Sequence, residues 1–154
     1  LFNAMNIGHS AMGTLHANSP REIIARLTNP PMNVPMNMLP LVDVVVLMKK
    51  IRTPEGLKRR VGSICEVERS EVGVSFAEIF SYDPRNDVVY KTETPSHKLE
   101  KIATFAGTDI SKVKHHMEEK RIILESLLNE GIKEFKVVFD HIQGYYEREG
   151  SLSL

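Results

Sequence analysis

The sequence predicts an α/β fold: a sheet with flanking helices and a β-hairpin over residues 1–93, then a small all-α bundle over residues 94–154. Three observations predict it. Leu41–Met48 is a nearly continuous apolar run rich in valine, and further strand-like runs follow it as far as Thr92. Ahead of that region, Ser19-Pro20-Arg21-Glu22 is a helix start. Beyond Thr94-Pro95-Ser96 the apolar spacing changes to three and four residues, the period of an amphipathic helix.

Taken in order, Leu1–Ile7 reads as the last turns of a helix, with Leu1 and Met5 on one face and Gly8 at the C′ position. Ala11–Leu15 reads as a short strand. The next helix has Ser19 as N-cap, Pro20 at N1 and Glu22 at N3, closing a capping box. Ile23, Ile24 and Leu27 supply its apolar side, and Asn29-Pro30-Pro31 ends it. Pro31–Pro40 is a connection with at most one helical turn, its methionines read as packing. Leu41–Met48 has the composition of a strand covered on both faces, with Asp43 needing a partner or a place at the rim.

Between Lys49 and Arg60 stand six basic residues and one acid, Glu55, around a Pro54-Glu55-Gly56 turn. The expected element is a hairpin tip. Its charges serve either as a solvated guard against edge pairing or as a contact for anionic lipid or a neighbouring subunit. Val61–Glu68, Val72–Tyr82 and Val88–Thr92 continue as strands, with a turn at Asp83–Asp87. Three helices follow. Leu99, Ile102, Ala103 and Ala106 mark the first. Ile110, Val113, Met117, Leu124 and Leu128 mark the second, which Asn129-Glu130-Gly131 ends. Phe135, Val138, Phe139, Ile142 and Tyr146 mark the third, and Gly150–Leu154 is expected to fray.

Composition limits the function classes. Hydrophobic content of 42% and charged content of 26% are those of a globular protein, and a formal net charge of zero provides no global field for nucleic acid or membrane. The single cysteine, Cys65, forms no internal disulfide and suits a reducing cytosol. No apolar run is long enough to cross a bilayer, and no signal peptide is visible. The chain opens without Met, in what looks like mid-helix, and is expected to be the C-terminal part of something longer.

The segment from Ile7 to Ser19 carries the chemistry. His9 and His16 stand seven positions apart with a short apolar run between them, Gly8 precedes the first, and a helix start follows the second. That helix would direct free N–H groups and its positive end toward the His16 region, which favours an anion such as phosphate. A buried strand with locally satisfied histidines is the plainer alternative. Gly8-His9 and Thr14-Leu15-His16-Ala17-Asn18-Ser19 resemble the His box of the secretion and pilus-assembly ATPases. These are the hexameric RecA-like motors of type II and type IV secretion, type IV pili and the archaeal flagellum. Arg26–Pro35 and Leu39–Asp43 extend the resemblance, which is strongest to archaeal members and covers about the first half of the chain.

The resemblance implies the C-terminal half of a RecA-like P-loop ATPase core. The intact protein would be a cytoplasmic hexamer at the membrane periphery, working with ATP and Mg²⁺ on an inner-membrane platform protein. It implies that His9 and His16 are catalytic, polarising or sensing the γ-phosphate across a subunit boundary, as imidazoles near neutral charge can. His16 is expected nearest the phosphate, and His9 is expected to fix the loop by hydrogen bonding. Gly8, Thr14, Asn18 and Arg21 fall at cofactor-binding positions of the resembled family. No G-x-x-x-x-G-K-S/T sequence is present, so the phosphate grip is missing and this chain alone is expected to bind no cofactor and to be inactive.

Two rivals come from other chemistry. Zinc is disfavoured because a closed site needs four ligands, and the adjacent pair His115-His116 should point in different directions along a helix. Residues 102–113 have the layout of a helix-turn-helix, which would make the chain an interaction module for nucleic acid or a protein partner. Nine basic against ten acidic residues between 94 and 149 oppose nucleic acid, for which a basic stripe is needed.

Overall fold

A computed structural model describes residues 1–53, 56–71 and 73–148. Pro54 and Glu55 of the expected turn, Val72 at the expected strand start and the Gly150–Leu154 tail lie outside them. The architecture is mixed α/β, with a four-stranded antiparallel sheet and several helices, in two compact units, Leu1–Ser96 and His97–Leu154. Among the described residues no helix is long and apolar enough to cross a membrane.

In the first unit, α1 (Phe2–Asn6) and α2 (Pro20–Thr28) precede a 3₁₀ helix, Met36–Leu41, and then strands β1 (Val44–Thr53), β2 (Gly56–Ser70), β3 (Gly73–Asp83) and β4 (Val88–Lys91). The strands form a meander in the order β1-β2-β3-β4. The 3₁₀ helix is longer than the single turn expected, and it plants Leu39 in the core. The core also takes Ile23, Cys65, Val67 and Ile79. Burial pushes the Cys65 thiol up from its usual value, as befits a packed residue rather than a nucleophile.

The expectation that Leu41–Met48 is covered on both faces is not met within this chain. Leu41 closes the 3₁₀ helix, and β1 is an edge strand whose burial alternates, leaving Val44, Val46 and Met48 exposed. An antiparallel edge strand with one packed face needs no second layer.

At the far corner, the Asp83 carboxylate accepts from the Arg85 N–H (2.8 Å) and from Asn86 Nδ2 (2.6 Å), so that Asp83–Asp87 makes the expected turn. Asp87 then receives Arg60 in a two-pronged bond, Nε to Oδ1 at 2.8 Å and Nη2 to Oδ2 at 2.7 Å, and the Tyr82 hydroxyl at 2.8 Å. The Arg60 hydrogen bond, followed by that from Tyr82, holds the Asp87 carboxyl well below the usual carboxylate range. Its folded pKa is depressed, so the pairing contributes stability above the unfolded value of about 3.9 and loses it as pH falls through the lower folded value. Carboxyl NMR titration should place Asp87 below every unpaired aspartate, and Arg60→Gln should raise its midpoint toward the ordinary range. An unchanged midpoint in Arg60→Gln would refute this assignment.

The second unit holds α3 (His97–Phe105), α4 (Ile110–Asn129) and α5 (Phe135–Arg148). Gly107, with φ +59°, lets the Thr108 N–H turn back to the Ala103 carbonyl (2.9 Å) and the Gly107 N–H to Thr104 (3.2 Å), a Schellman stop. Asp109 then caps α4 through the Lys112 N–H at 3.0 Å. The buried stripe of α4 differs from the expected one. Ile110 and Val113 are half-buried as anticipated, but Ile123 and Leu127 turn inward while Met117, Leu124 and Leu128 are exposed. On α5 the inward residues are Val138, Ile142 and Tyr145, while Phe135, Phe139 and Tyr146 stay outside. Ile102 of α3 is also exposed, and Ala106 lies beyond that helix.

His115 and His116 point differently, their side chains 70% and 16% exposed and their ring planes 53° apart, yet Glu119, three and four residues on, lies within reach of both. His116 Nδ1 lies 3.2 Å and His115 Nε2 3.5 Å from its carboxylate oxygens, and His116 Nδ1 is also 3.1 Å from the Tyr145 hydroxyl. Among the described residues no group of three His, Cys, Asp or Glu side chains is arranged to hold a metal.

Candidate functional site

The histidine segment is built between two helix ends. At the first, Gly8 has φ +95°. The Gly8 N–H donates to the Met5 carbonyl (3.1 Å) and the His9 N–H to Ala4 (3.0 Å), which stops α1 and fixes where His9 begins. Gly8 is thus required by the backbone. The His9 main chain, rather than its ring, anchors the loop, and neither imidazole makes a hydrogen bond among the described residues.

From His9 to Ala17 the chain has no regular structure, so the strand expected at Ala11–Leu15 does not form. Among the described residues no neighbouring strand pairs with it. His9, Thr14 and His16 are exposed, Leu15 and Ala17 are half-buried, and Met12 is 98% exposed. The plainer alternative, histidines satisfied within a buried strand, therefore does not describe this segment.

At the second end, Ser19 is extended (φ −152°, ψ 159°) and its Oγ accepts from the Glu22 N–H at 3.2 Å, with Pro20 opening the helix. The capping box is shifted by one residue. Glu22 Oε2 accepts from the Asn18 N–H (2.8 Å) and Asn18 Nδ2 (3.1 Å) instead of from the Ser19 N–H. Glu22 Oε1 takes Arg26 through Nε (3.0 Å) and Nη2 (2.8 Å). The Asn18 backbone bond first, and Arg26 next, lower the Glu22 pKa.

This network revises the local electrostatics. The first turn of α2 carries its own carboxylate, so an arriving phosphate would meet Glu22 beside the helix N-terminus. Asn18 is committed to Glu22 through main chain and side chain. Arg21 is exposed and makes no ion pair among the described residues. Asn18, Glu22 and Arg26 stand at two successive i, i+4 steps, a spacing that signals their pairing alongside the capping pattern.

No family model matches the chain. It is 32% identical over 153 residues to the uncharacterized protein MJ0900 of Methanocaldococcus jannaschii, a match covering 96% of this chain and 28% of that protein. The uncharacterized protein MJ1287 of the same organism is 28% identical over 130 residues, which is 82% of this chain and 48% of that protein. A third, the uncharacterized protein MJ0781, is 31% identical over 136 residues, covering 86% of this chain and 19% of that protein. The chain spans less than half the length of each of these relatives, and the same stretch recurs inside proteins of different length.

Proposed function

We propose that the chain is the C-terminal part of a RecA-like secretion or pilus-assembly ATPase, of the kind that includes the archaeal flagellum motor. The whole protein would be a cytoplasmic hexamer at the membrane periphery, coupling ATP hydrolysis to a membrane-embedded platform protein. The observation that carries the reading is the exposed segment from His9 to Ala17, which presents two uncommitted imidazoles on an open surface beside the exposed apolar side chains of Ile7 and Met12. Such a surface suits docking of a second polypeptide over a shared nucleotide.

The residues present fit one wall of an ATP site and not its grip. His16 and Arg21 are free to meet a γ-phosphate, and bound ATP would supply the phosphoryl group whose transfer drives the motor. His9 would sit at the fixed end of the segment, while Gly8 and Asn18 shape the backbone on either side. Thr14 is exposed, and no partner among the described residues assigns it a role. Backbone amides and a lysine for the phosphates, with the Mg²⁺ ligands, would come from a preceding segment.

The 154-residue chain alone should release no phosphate from ATP at a useful rate, and adding a preceding segment with a P-loop should confer hydrolysis. Steady phosphate release by the short chain, abolished by His16→Ala, would overturn this division of labour. The nucleic-acid alternative is opposed on α4, where Arg121 is occupied by both Glu118 and Glu125.

A further inference from the structure

The hairpin of β1 and β2 has two unlike faces. Opposite one another across the strands stand Lys49 and Arg60, Lys50 and Arg59, Ile51 and Lys58, Arg52 and Leu57. Alternation puts Lys49, Ile51, Lys58 and Arg60 on one face, and Lys50, Arg52, Leu57 and Arg59 on the other. On the first face Lys49 is exposed, but Ile51, Lys58 and Arg60 are half-buried, Asp87 clasps Arg60, and the Lys58 charge also acts on Asp87. The second is open. Lys50, Arg52 and Arg59 are exposed and form no ion pair among the described residues. Met48 and Leu57, on that same face, are 60% and 58% exposed.

A guard against edge pairing explains charge on the edge strand β1. Arg59 lies on the stretch of β2 that β3 does not reach, so it too is an edge residue, but edge protection does not call for a third cation directly opposite Lys50, where like charges repel. Nor does it explain two apolar side chains among the cations. Cations interspersed with aliphatic side chains on a projecting face match an anionic bilayer surface: the heads meet lipid phosphates while the apolar groups enter the interfacial layer. The same face offers no aromatic ring for a base to stack on, which sets it apart from a single-strand nucleic-acid platform.

We propose that Met48, Lys50, Arg52, Leu57 and Arg59 form a docking face for the anionic lipid headgroups of a membrane surface. This proposal does not depend on the histidine segment or on nucleotide. Co-sedimentation of the 154-residue chain with vesicles tests it. Phosphatidylcholine vesicles containing roughly one-third phosphatidylglycerol should bind the chain, pure phosphatidylcholine should not, and about 0.5 M NaCl should release it.

Lys50→Glu with Arg52→Glu should weaken binding about 10²-fold or more by reversing the net charge of the face. Lys50→Glu alone puts an acid opposite Arg59, so it should weaken binding while leaving the melting temperature equal or higher. That combination separates docking from folding. Leu57→Ser should weaken binding several-fold and leave its salt dependence unchanged. Lys112→Glu with Lys136→Glu, on exposed helical positions of the second unit, should change binding less than two-fold. Three results would overturn the proposal: binding that ignores phosphatidylglycerol, equal loss in the helical double variant, or displacement from vesicles by a short single-stranded oligonucleotide that binds the same face more tightly.

Discussion

In a chain extended upstream to include a P-loop, His16→Ala should lower kcat for ATP hydrolysis about 10²-fold or more, with KM nearly unchanged. A preorganised group that meets charge developing on a transferring phosphate contributes on the order of 10²–10³ in rate. An interaction made mainly in the transition state lowers kcat and kcat/KM together. The proposed site gives this role to His16, which lies close ahead of the Ser19 cap, is exposed and makes no hydrogen bond among the described residues. His9→Ala should cost less, about 10-fold, since the bond from the His9 N–H to Ala4 survives the loss of the ring. Gly8→Ala should do more harm than its size suggests, because φ +95° is a conformation that a Cβ opposes. Steady-state phosphate release over a range of ATP concentrations decides the matter. A rise in KM at constant kcat would make His16 a ground-state contact only, and equal losses for both histidines would remove the asymmetry between them.

What could be read from the sequence was largely local. The Ser19 cap, the Asp83–Asp87 turn and the glycine stop before Thr108 each depend on residues within five positions, and their partners are where the residue types require them. Failures came where tertiary neighbours decide. Ala11–Leu15 has strand-like composition but lacks a partner to pair with. Leu41–Met48 reads as doubly covered, yet among the described residues nothing covers the face of β1 that carries Val44, Val46 and Met48. In the second half of α4, Ile122, Ile123, Leu124, Leu127 and Leu128 supply apolar side chains all round the helix, so spacing alone could not choose the inward pair. At the site, the histidines and the cap were visible, whereas the diversion of Asn18 to Glu22 depends on which of two adjacent N–H groups the carboxylate reaches.

The sheet offers the second large effect, at Val67, where Val67→Asp should abolish cooperative folding of the first unit. Val67 lies on β2, between β1 and β3, and is 3% exposed. Its N–H donates to the Asp43 carbonyl at 3.0 Å, which ties the entry of β1 to the middle of the sheet. A carboxylate there would lose its hydration on burial. An uncompensated buried charge costs several kcal/mol, about 3–5 where a pair is broken, a large share of the roughly 5–15 kcal/mol that holds a domain together. Val67→Ala removes only two methyl groups and should cost about 1–3 kcal/mol, shifting the urea midpoint without changing the slope of the transition. Val67→Thr keeps the shape but buries a hydroxyl, and should fall between them. Urea unfolding of the three variants, followed by a probe in the sheet, gives the order directly. If Val67→Asp unfolded at the parent midpoint, position 67 would have to reach water, and the packing assigned to the central strand would be wrong.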